Sequence, residues 1–425
     1  MNLRISCAKV VQNIFENKAF LGDFKKSFDE KDLSFANMLI LTSLRNWCGL
    51  ECLLSSFLNK KIPHKHCLAK YLLILALNEI LFMNTAPYAV INATVGNIKK
   101  NCDKFLGGMA NAVLRKVLPK KEQYKNDVMQ VLPFPEKFLP VLAGYSVAEI
   151  KQIAASLRQI PSLDITVKDS PIKWQQKLKA DLMPNGTLRL YNQSKVYDLP
   201  GYAEGSWWVQ DCAASLAVVS IGKLEGLKVL DLCAAPGGKT AQLLALGANV
   251  TALDISESRL NILKQNMARL GFNNVHIICD DALHFLQTSK EKFDVVLLDA
   301  PCSASGTFRR HPEILHIKRI EDVYAQKKLQ NNLLCNCHKV LKNDGILLYS
   351  VCSINKMEGE YQIEEFLSAN KNFQLVPIRH QDISRYGEWS QGMILPNGTL
   401  RTLPFYENKK NGIDSFFICK MQRII

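Results

Sequence analysis

No two of the thirteen cysteines in this chain stand at C-x-x-C spacing, which removes the simplest zinc-finger and thioredoxin-type signatures. Their odd number, scattered over 425 residues, reads as free thiols rather than a disulfide framework. "CNCHKV" (335–340) and "HKHC" (64–67) carry ligand-type side chains without zinc spacing, so no metal site is expected. Long apolar runs are missing too. The longest, "YLLILALNEILFM" (71–83), is interrupted by Asn78 and Glu79 and is too short to span a bilayer; it reads as a buried helix. The N-terminal "MNLRISCAKVVQNIF" lacks a signal core with a small-residue cleavage site, so the expectation is a cytoplasmic protein with no membrane partner. No internal repeat or low-complexity tract stands out. The glycine-rich "VLDLCAAPGGKT" (229–240) ends like a phosphate loop, but Cys233 stands where its first glycine belongs, and G-x-G-x-x-G is absent. A nucleoside triphosphate is therefore not the expected ligand.

What is present is basic charge, unevenly spread. Residues 1–130 hold 19 Lys and Arg against 10 Asp and Glu, while the remaining 295 hold 34 against 29. A surplus concentrated in one third of the chain suits a polyanionic partner such as RNA. That same third has apolar residues at spacings of three and four, in "FANMLILTSLRNWCGLECLLSSFL" and "LAKYLLILALNEILFM", punctuated by Pro63, Pro87 and Pro119. It is expected to be an all-helical domain, residues 1–128. Residues 129–204 read as a small α+β connector: a helical segment "PEKFLPVLAGYSVAEIKQIAASL", then strand candidates "SLDITVKD", "TLRLYN" and "VYDLPGY".

From residue 205 the rhythm becomes strand, loop, helix. Strand candidates are "LKVLDLC" (227–233), "NVTALDIS" (249–256), "NVHIICDD" (274–281), "FDVVLLDAP" (293–301) and "GILLYSVCS" (345–353), with helical patterns between them. Apolar strands alternating with helices imply an α/β fold around a mostly parallel sheet covered on both faces. Ligands of such sheets bind beyond the carboxyl ends of the strands, near the point where strand order reverses. Here the polar residues of each strand gather at that end.

Gly237 and Gly238 let the backbone of the first loop approach a ligand closely. Asp254 ends the next strand, where an acid accepts hydrogen bonds from ribose hydroxyls. Asp280 and Asp281 end the third, within reach of an adenine amino group. Acids at successive strand ends suit a cofactor bearing a nucleoside and a positive centre, and S-adenosyl-L-methionine is such a molecule. Cys302 follows the fourth strand in "DAPCSASG" and Cys352 the fifth in "YSVCSI". If those strands are neighbours, about 5 Å apart, both thiols face one cleft. A thiolate attacking carbon 6 of a pyrimidine raises electron density at carbon 5, which can then accept a methyl group. Asp299 is placed to stabilise that adduct near N3. Lys239, Arg309 and Arg310 are candidates to lower a thiol pKa or hold RNA phosphates. The residues alone leave open which thiol attacks.

Together, "DLCAAPGGKT", "LLDAPCSASGTFRRHPE" and "YSVCSINKMEGE" resemble the motifs of the RNA cytosine-C5 methyltransferases. At the N-terminus, "LTSLRNWCGLECLL", "NTAPYAVINATVGNIKK" and "MANAVLRKVL" are similar to the NusB-type helical RNA-binding domain that precedes the catalytic domain in bacterial 16S ribosomal RNA members, and "LPGYAEGSWWVQDCAASLA" to the entry of their catalytic fold. The resemblance covers most of the chain. It implies a Rossmann-like class I methyltransferase domain over 205–425 and a monomer acting on 16S rRNA, with tRNA as the alternative. It also implies that Cys233, Ala234, Ala235, Pro236, Gly237, Gly238 and Lys239, with Asp254, Asp281 and Asp299, bind S-adenosylmethionine. Asp281 is preferred to Asp280 because it stands just before the small Ala282. Cys352 would be the nucleophile, Cys302 would assist product release, and Arg309, Arg310 and Lys239 would meet RNA. Three positions depart from the family pattern: Val351 replaces a threonine, Ser415 replaces the glycine of Asp-Gly-Phe-Phe, and "SLDITVKD" lacks the usual arginine and asparagine.

Overall fold

The apolar run expected as a helix forms most of helix Cys67–Phe82, all but its last residue, Met83, which ends the helix in extended conformation; the helix is buried on every side from Leu72 to Leu81, as a helix apolar all round must be. Its one acid, Glu79, is fully buried and is held by Arg4, whose Nε donates to Oε2 at 2.9 Å. Helices Leu3–Asn17, Glu30–Arg45, Trp47–Ser56, Pro87–Asn101, Lys104–Val117 and Lys121–Gln130 pack around this centre. Pro87 opens its helix at the first position, where a missing N–H costs nothing, and Asp103 caps the next by accepting from Phe105 N at 2.7 Å. The structure, a computed structural model, describes residues 2–191 and 195–424. No helix among them is long and apolar enough to cross a membrane.

The chain divides into two compact units, and their boundaries differ from those expected at 128 and 204. The helical unit comprises Met1–Pro140, Tyr145–Arg158 and a segment from far along the chain, Phe308–Arg319. That late segment completes the helical core. Ile317 joins the buried cluster, and the His316 ring lies 4.9 Å from Phe15 and 6.2 Å from Trp47. His316 Nε2 pairs with the Leu44 carbonyl at 3.0 Å, and Arg45 donates to the Arg309 carbonyl at 2.9 Å.

The second unit holds Val141–Gly144, Gln159–Thr307 and Ile320–Ile425, so the connector's sheet belongs with the main sheet. The connector sheet is antiparallel, in the order β2–β3–β1–β4, from β1 (Leu163–Val167), β2 (Asp181–Leu182), β3 (Leu188–Leu190) and β4 (Trp207–Val209). "TLRLYN" contributes only β3, and its last residue, Asn192, lies outside the described residues. "VYDLPGY" forms a 3-10 turn, Val196–Asp198, rather than a strand. Pro200 lacks a ladder donor and Gly201, at φ +88°, turns the chain away. Although β1 lacks the arginine that the resemblance led one to expect, Asp164 receives a guanidinium from β3: Arg189 Nε and Nη2 donate to its two oxygens at 2.7 and 2.6 Å, all buried.

The main sheet contains β5 (Lys228–Leu232), β6 (Asn249–Asp254), β7 (His276–Cys279), β8 (Phe293–Asp299), β9 (Leu341–Val351), β10 (Phe373–Leu375) and β12 (Phe417–Arg423), with β11 (Leu400–Arg401) paired to β12. Its order is β10–β12–β9–β8–β5–β6–β7. Strands β5 to β9 run parallel, and β10 to β12 add an antiparallel edge. Alternate residues supply two cores. Val229, Val295, Leu297 and Leu348 pack on one face, and Leu230, Leu232, Val296, Leu298 and Leu347 on the other, which is why these strands read as apolar throughout. Sequence order reverses between β5 and β8. Register brings their ends level, with Leu232 opposite Leu253 and Leu298, and Asp299 opposite Ser350.

Candidate active site

Beyond the carboxyl end of β5 the chain makes the loop Cys233–Gly237 and enters helix Gly238–Ala245. Cys233 takes φ +63°, and Ala234 N donates to the Leu253 carbonyl at 3.0 Å, tying the loop to β6. Gly237 takes φ +101°, and a Cβ there would meet Leu263 at 2.9 Å. Both conformation and space therefore require glycine. Asp254 steadies the loop: Oδ2 accepts from Ala235 N at 3.1 Å and Oδ1 from Ser256 N at 3.0 Å, with Arg259 at 3.4 Å. Carboxylate oxygens have two lone pairs each, so Oδ1 retains acceptor capacity for a ribose hydroxyl.

Under the loop, Asp231 is fully buried in β5 and accepts from Thr240 Oγ1 at 2.6 Å on one oxygen, while its other oxygen has no hydrogen-bond partner. Burial pushes its pKa up to about 7, with Thr240 opposing and Asp299 adding to the shift. No role was expected of Asp231; its signal was an acid inside an otherwise apolar strand. Asp281 caps helix Ala282–Thr288 by accepting from His284 N at 3.0 Å, and Asp280 pairs with His284 Nδ1 at 2.9 Å. A glycine-bearing loop, a level row of acids and an unpartnered buried carboxylate oxygen form a donor and acceptor set that fits an adenosine-bearing cation.

Strands β8 and β9 are neighbours, and their loops bring Cys302 Sγ and Cys352 Sγ to 3.4 Å, both as free thiols. Hydrogen bonding to Cys352, then burial, holds the Cys302 pKa well above the ordinary thiol range. Cys233, pushed up to about 12 by burial and by Asp299, is also kept protonated. Asp299 closes the site: Oδ2 accepts from Lys239 Nζ at 2.7 Å and Oδ1 from Ser350 Oγ at 2.7 Å. Burial works against the Lys239 charge, but Asp299 more than offsets it and raises the ammonium pKa. Lys239 also lies 5.3 Å over the Phe416 ring.

Two features around the thiols were not anticipated. Glu358 is fully buried and is hydrogen-bonded to both cysteine loops. Gly306 is wedged between backbones, donating to the Cys352 carbonyl at 2.9 Å and accepting from Ser415 N at 2.9 Å. The departures from the family pattern are absorbed locally. Val351 is fully buried in the core, and the Ser415 hydroxyl donates to the Thr402 carbonyl at 2.8 Å. Arg309 and Arg310 both fall in the helical unit's late segment. Arg309 is only 1% exposed, and Arg310 is half-buried. In "CNCHKV", Cys337 is buried at the end of helix Ile320–Cys337.

Comparison with known proteins matches two stretches of the chain. Residues 220–422 match the family model described as 16S rRNA methyltransferase RsmB/F, and residues 1–119 match the NusB family. The chain is 30% identical over 394 residues to ribosomal RNA small subunit methyltransferase B of Yersinia pestis, covering 88% of this chain and 92% of that one. It is 31% identical over 386 residues to the protein of the same name from Citrobacter koseri, covering 86% and 90%. Among solved structures, PH0851 superposes with a TM-score of 0.75 at 22% identity over 99% of both chains. NSun6 from Pyrococcus horikoshii superposes at 0.59 and 20% identity, covering 69% of this chain and 99% of that one.

Proposed function

Because the chain belongs to the RsmB/F family of 16S rRNA methyltransferases, we propose that it methylates carbon 5 of a cytosine in 16S rRNA through a transient bond from the Cys352 sulfur to carbon 6. S-adenosylmethionine is the methyl donor, and when bound it supplies an electrophilic methyl group on a sulfonium. In this reading the loop Cys233–Lys239, with Asp254, Asp281 and Asp299, holds it.

The observation that carries the proposal is the 3.4 Å approach of two free thiols beside the Asp299–Lys239 pair. Carbon 5 of cytosine is a weak nucleophile until carbon 6 carries an electron-donating adduct. Cys352 makes that bond as a thiolate. The Asp299–Lys239 pair meets the N3 edge and stabilises the protonated adduct, acting from a fixed position rather than after reorganisation. Release then passes the carbon 5 proton to a solvent water; the electrons of that bond restore the carbon 5–carbon 6 double bond, the carbon–sulfur pair returns to Cys352 as thiolate, and N3 gives its proton back to the Asp299–Lys239 pair. Cys302, a thiol by virtue of its raised pKa, donates a hydrogen bond to the departing Cys352 sulfur. The cytosine must be unstacked to reach the cleft. The basic helical unit, Arg310 and Lys239 serve the RNA backbone.

Two variants and one mapping experiment test this. Cys352→Ala is expected to abolish methyl transfer, and Cys302→Ala to accumulate a covalent protein–RNA adduct on denaturing gels. Adduct in the Cys352 variant instead would reverse the roles. Bisulfite sequencing of RNA from cells lacking the protein should show one unmethylated 16S rRNA cytosine. A lost tRNA site would reassign the substrate, and no lost site would sink cytosine-C5 chemistry.

A further inference from the structure

We propose that Glu358 is a positioning residue for methyl transfer: its buried carboxylate sets the separation of the two thiols by holding both cysteine turns at once. Oε1 accepts from Ser303 N at 2.8 Å and Gln330 Nε2 at 3.0 Å, while Oε2 accepts from the hydroxyls of Ser303 and Ser353, each at 2.5 Å. Ser303 follows Cys302 and Ser353 follows Cys352, so one side chain grips the residue after each thiol. The grip is reinforced. Gln330 also donates to the Pro301 carbonyl at 2.9 Å, and Ser305 Oγ lies 3.0 Å from Ser353 Oγ. The Tyr349 hydroxyl donates to the Glu358 carbonyl at 2.7 Å, anchoring Glu358 itself to β9.

Every member of this cluster is shut away from solvent: Glu358, Ser303, Ser305, Ser353 and Gln330 are each 0% exposed. Taking a carboxylate out of water is costly unless donors replace the water, and an apolar filling would hold two loops together at less cost. What an apolar filling lacks is direction. Charge-assisted hydrogen bonds are short and oriented, and a reaction in which one sulfur attacks while its neighbour assists departure depends on sub-ångström placement of both. No member of the cluster is required to touch cofactor or base.

This inference rests on the thiol roles proposed above, and its test separates the two. In Glu358→Gln, an amide on the Oε1 side deprives Ser303 N and Gln330 of their acceptor; on the Oε2 side it forces both serine hydroxyls to turn round. Either way Ser303 is disturbed. The full-length wild type, Cys302→Ala, Glu358→Gln and Glu358→Asp would be compared using a 16S rRNA transcript. The readouts are kcat, Kd for S-adenosylmethionine by calorimetry, melting temperature, and covalent adduct on denaturing gels. Glu358→Gln is expected to lower kcat at least tenfold with the cofactor Kd within twofold, and to accumulate several-fold more adduct than wild type because Cys302 no longer meets Cys352 correctly. Glu358→Asp should recover part of the rate. Ser303→Ala, which removes one hydroxyl and leaves the charge, should show the same pattern more weakly, and it decides the matter if the Gln variant does not fold. Unchanged turnover, loss of turnover without adduct, or parallel loss of cofactor binding would overturn the inference. Adduct absent from Cys302→Ala itself would instead remove the thiol roles on which it depends.

Discussion

Replacing Gly306 with alanine adds one methyl group at a crowded point beside Cys352. The new Cβ would lie 2.0 Å from the Ser415 carbonyl oxygen, 2.9 Å from its carbon and 3.0 Å from the Cys352 carbonyl oxygen. Gly306 has no left-handed φ, so backbone conformation does not oppose the change; space alone does. Clearing the first contact requires one backbone to retreat by about 1 Å, since interiors are packed without slack. Both candidates for retreat matter. One is the entry to β12, and the other is the peptide of Cys352, each held to Gly306 by a 2.9 Å hydrogen bond. Overpacking costs roughly 1–3 kcal/mol, and a strained backbone hydrogen bond adds about 1 kcal/mol. The expected destabilisation is therefore about 2–4 kcal/mol by denaturant titration. If Cys352 is the nucleophile as proposed, its displacement by about 1 Å costs on the order of 100-fold in rate, which single-turnover methyl transfer would show while the Kd for S-adenosylmethionine stays near wild type. Gly108, on helix Lys104–Val117 with nothing within 4 Å of its Cβ position, is the control; alanine there should leave activity intact and add up to about 1 kcal/mol of stability. A Gly306→Ala protein with wild-type stability and rate would refute the reasoning.

Two pH effects of opposite sign should also be measurable. Asp231 has its folded pKa raised to about 7 from an ordinary 3.8. Its stabilising contribution is thus complete below pH 3.8, falls as pH rises, and is spent above about 7. Against Asp231→Asn, wild-type stability by denaturant titration should drop by about 2 kcal/mol between pH 5 and 8, and a constant difference would disprove the shift. His316 is depressed from 6.5 to about 4, chiefly by burial. Its contribution is complete above pH 6.5 and is lost as pH falls through 4. Compared with His316→Gln, the wild type should lose on the order of 2 kcal/mol between pH 7 and 4.5, read by melting of the helical unit; no difference would mean that the ring titrates normally.

The five parallel strands were legible because most of their positions are apolar and polar residues bound them. Phe293–Asp299, for example, falls inside the expected 293–301. The site residues at their ends were legible for the same reason, since β5, β6, β8 and β9 must place Cys233, Asp254, Cys302 and Cys352 at one edge once the strands align. β12 was not foreseen. "FFICKM" is an apolar run whose partner, β9, lies some 70 residues earlier, and antiparallel pairing at that distance leaves no local periodicity. Glu358 stood in a quoted motif without a role because its meaning is a convergence of Ser303, Gln330 and Ser353, visible only after folding. The burial of Arg309 was not legible, because a pair of arginines in a loop reads as exposed, whereas the segment that carries it packs into the helical core.

That late segment bears on how the protein is made. Residues up to Arg158 leave the ribosome first, yet their core awaits Phe308–Arg319, with about 150 residues between them. At ordinary synthesis rates this is a delay of roughly 10–30 s, during which the faces of Phe15, Trp47 and Leu44 that receive His316 are uncovered. The nascent helical bundle therefore lacks this part of its core until the thiol-bearing turn has been synthesised. It reaches its finished form only in a chain that already carries Cys302.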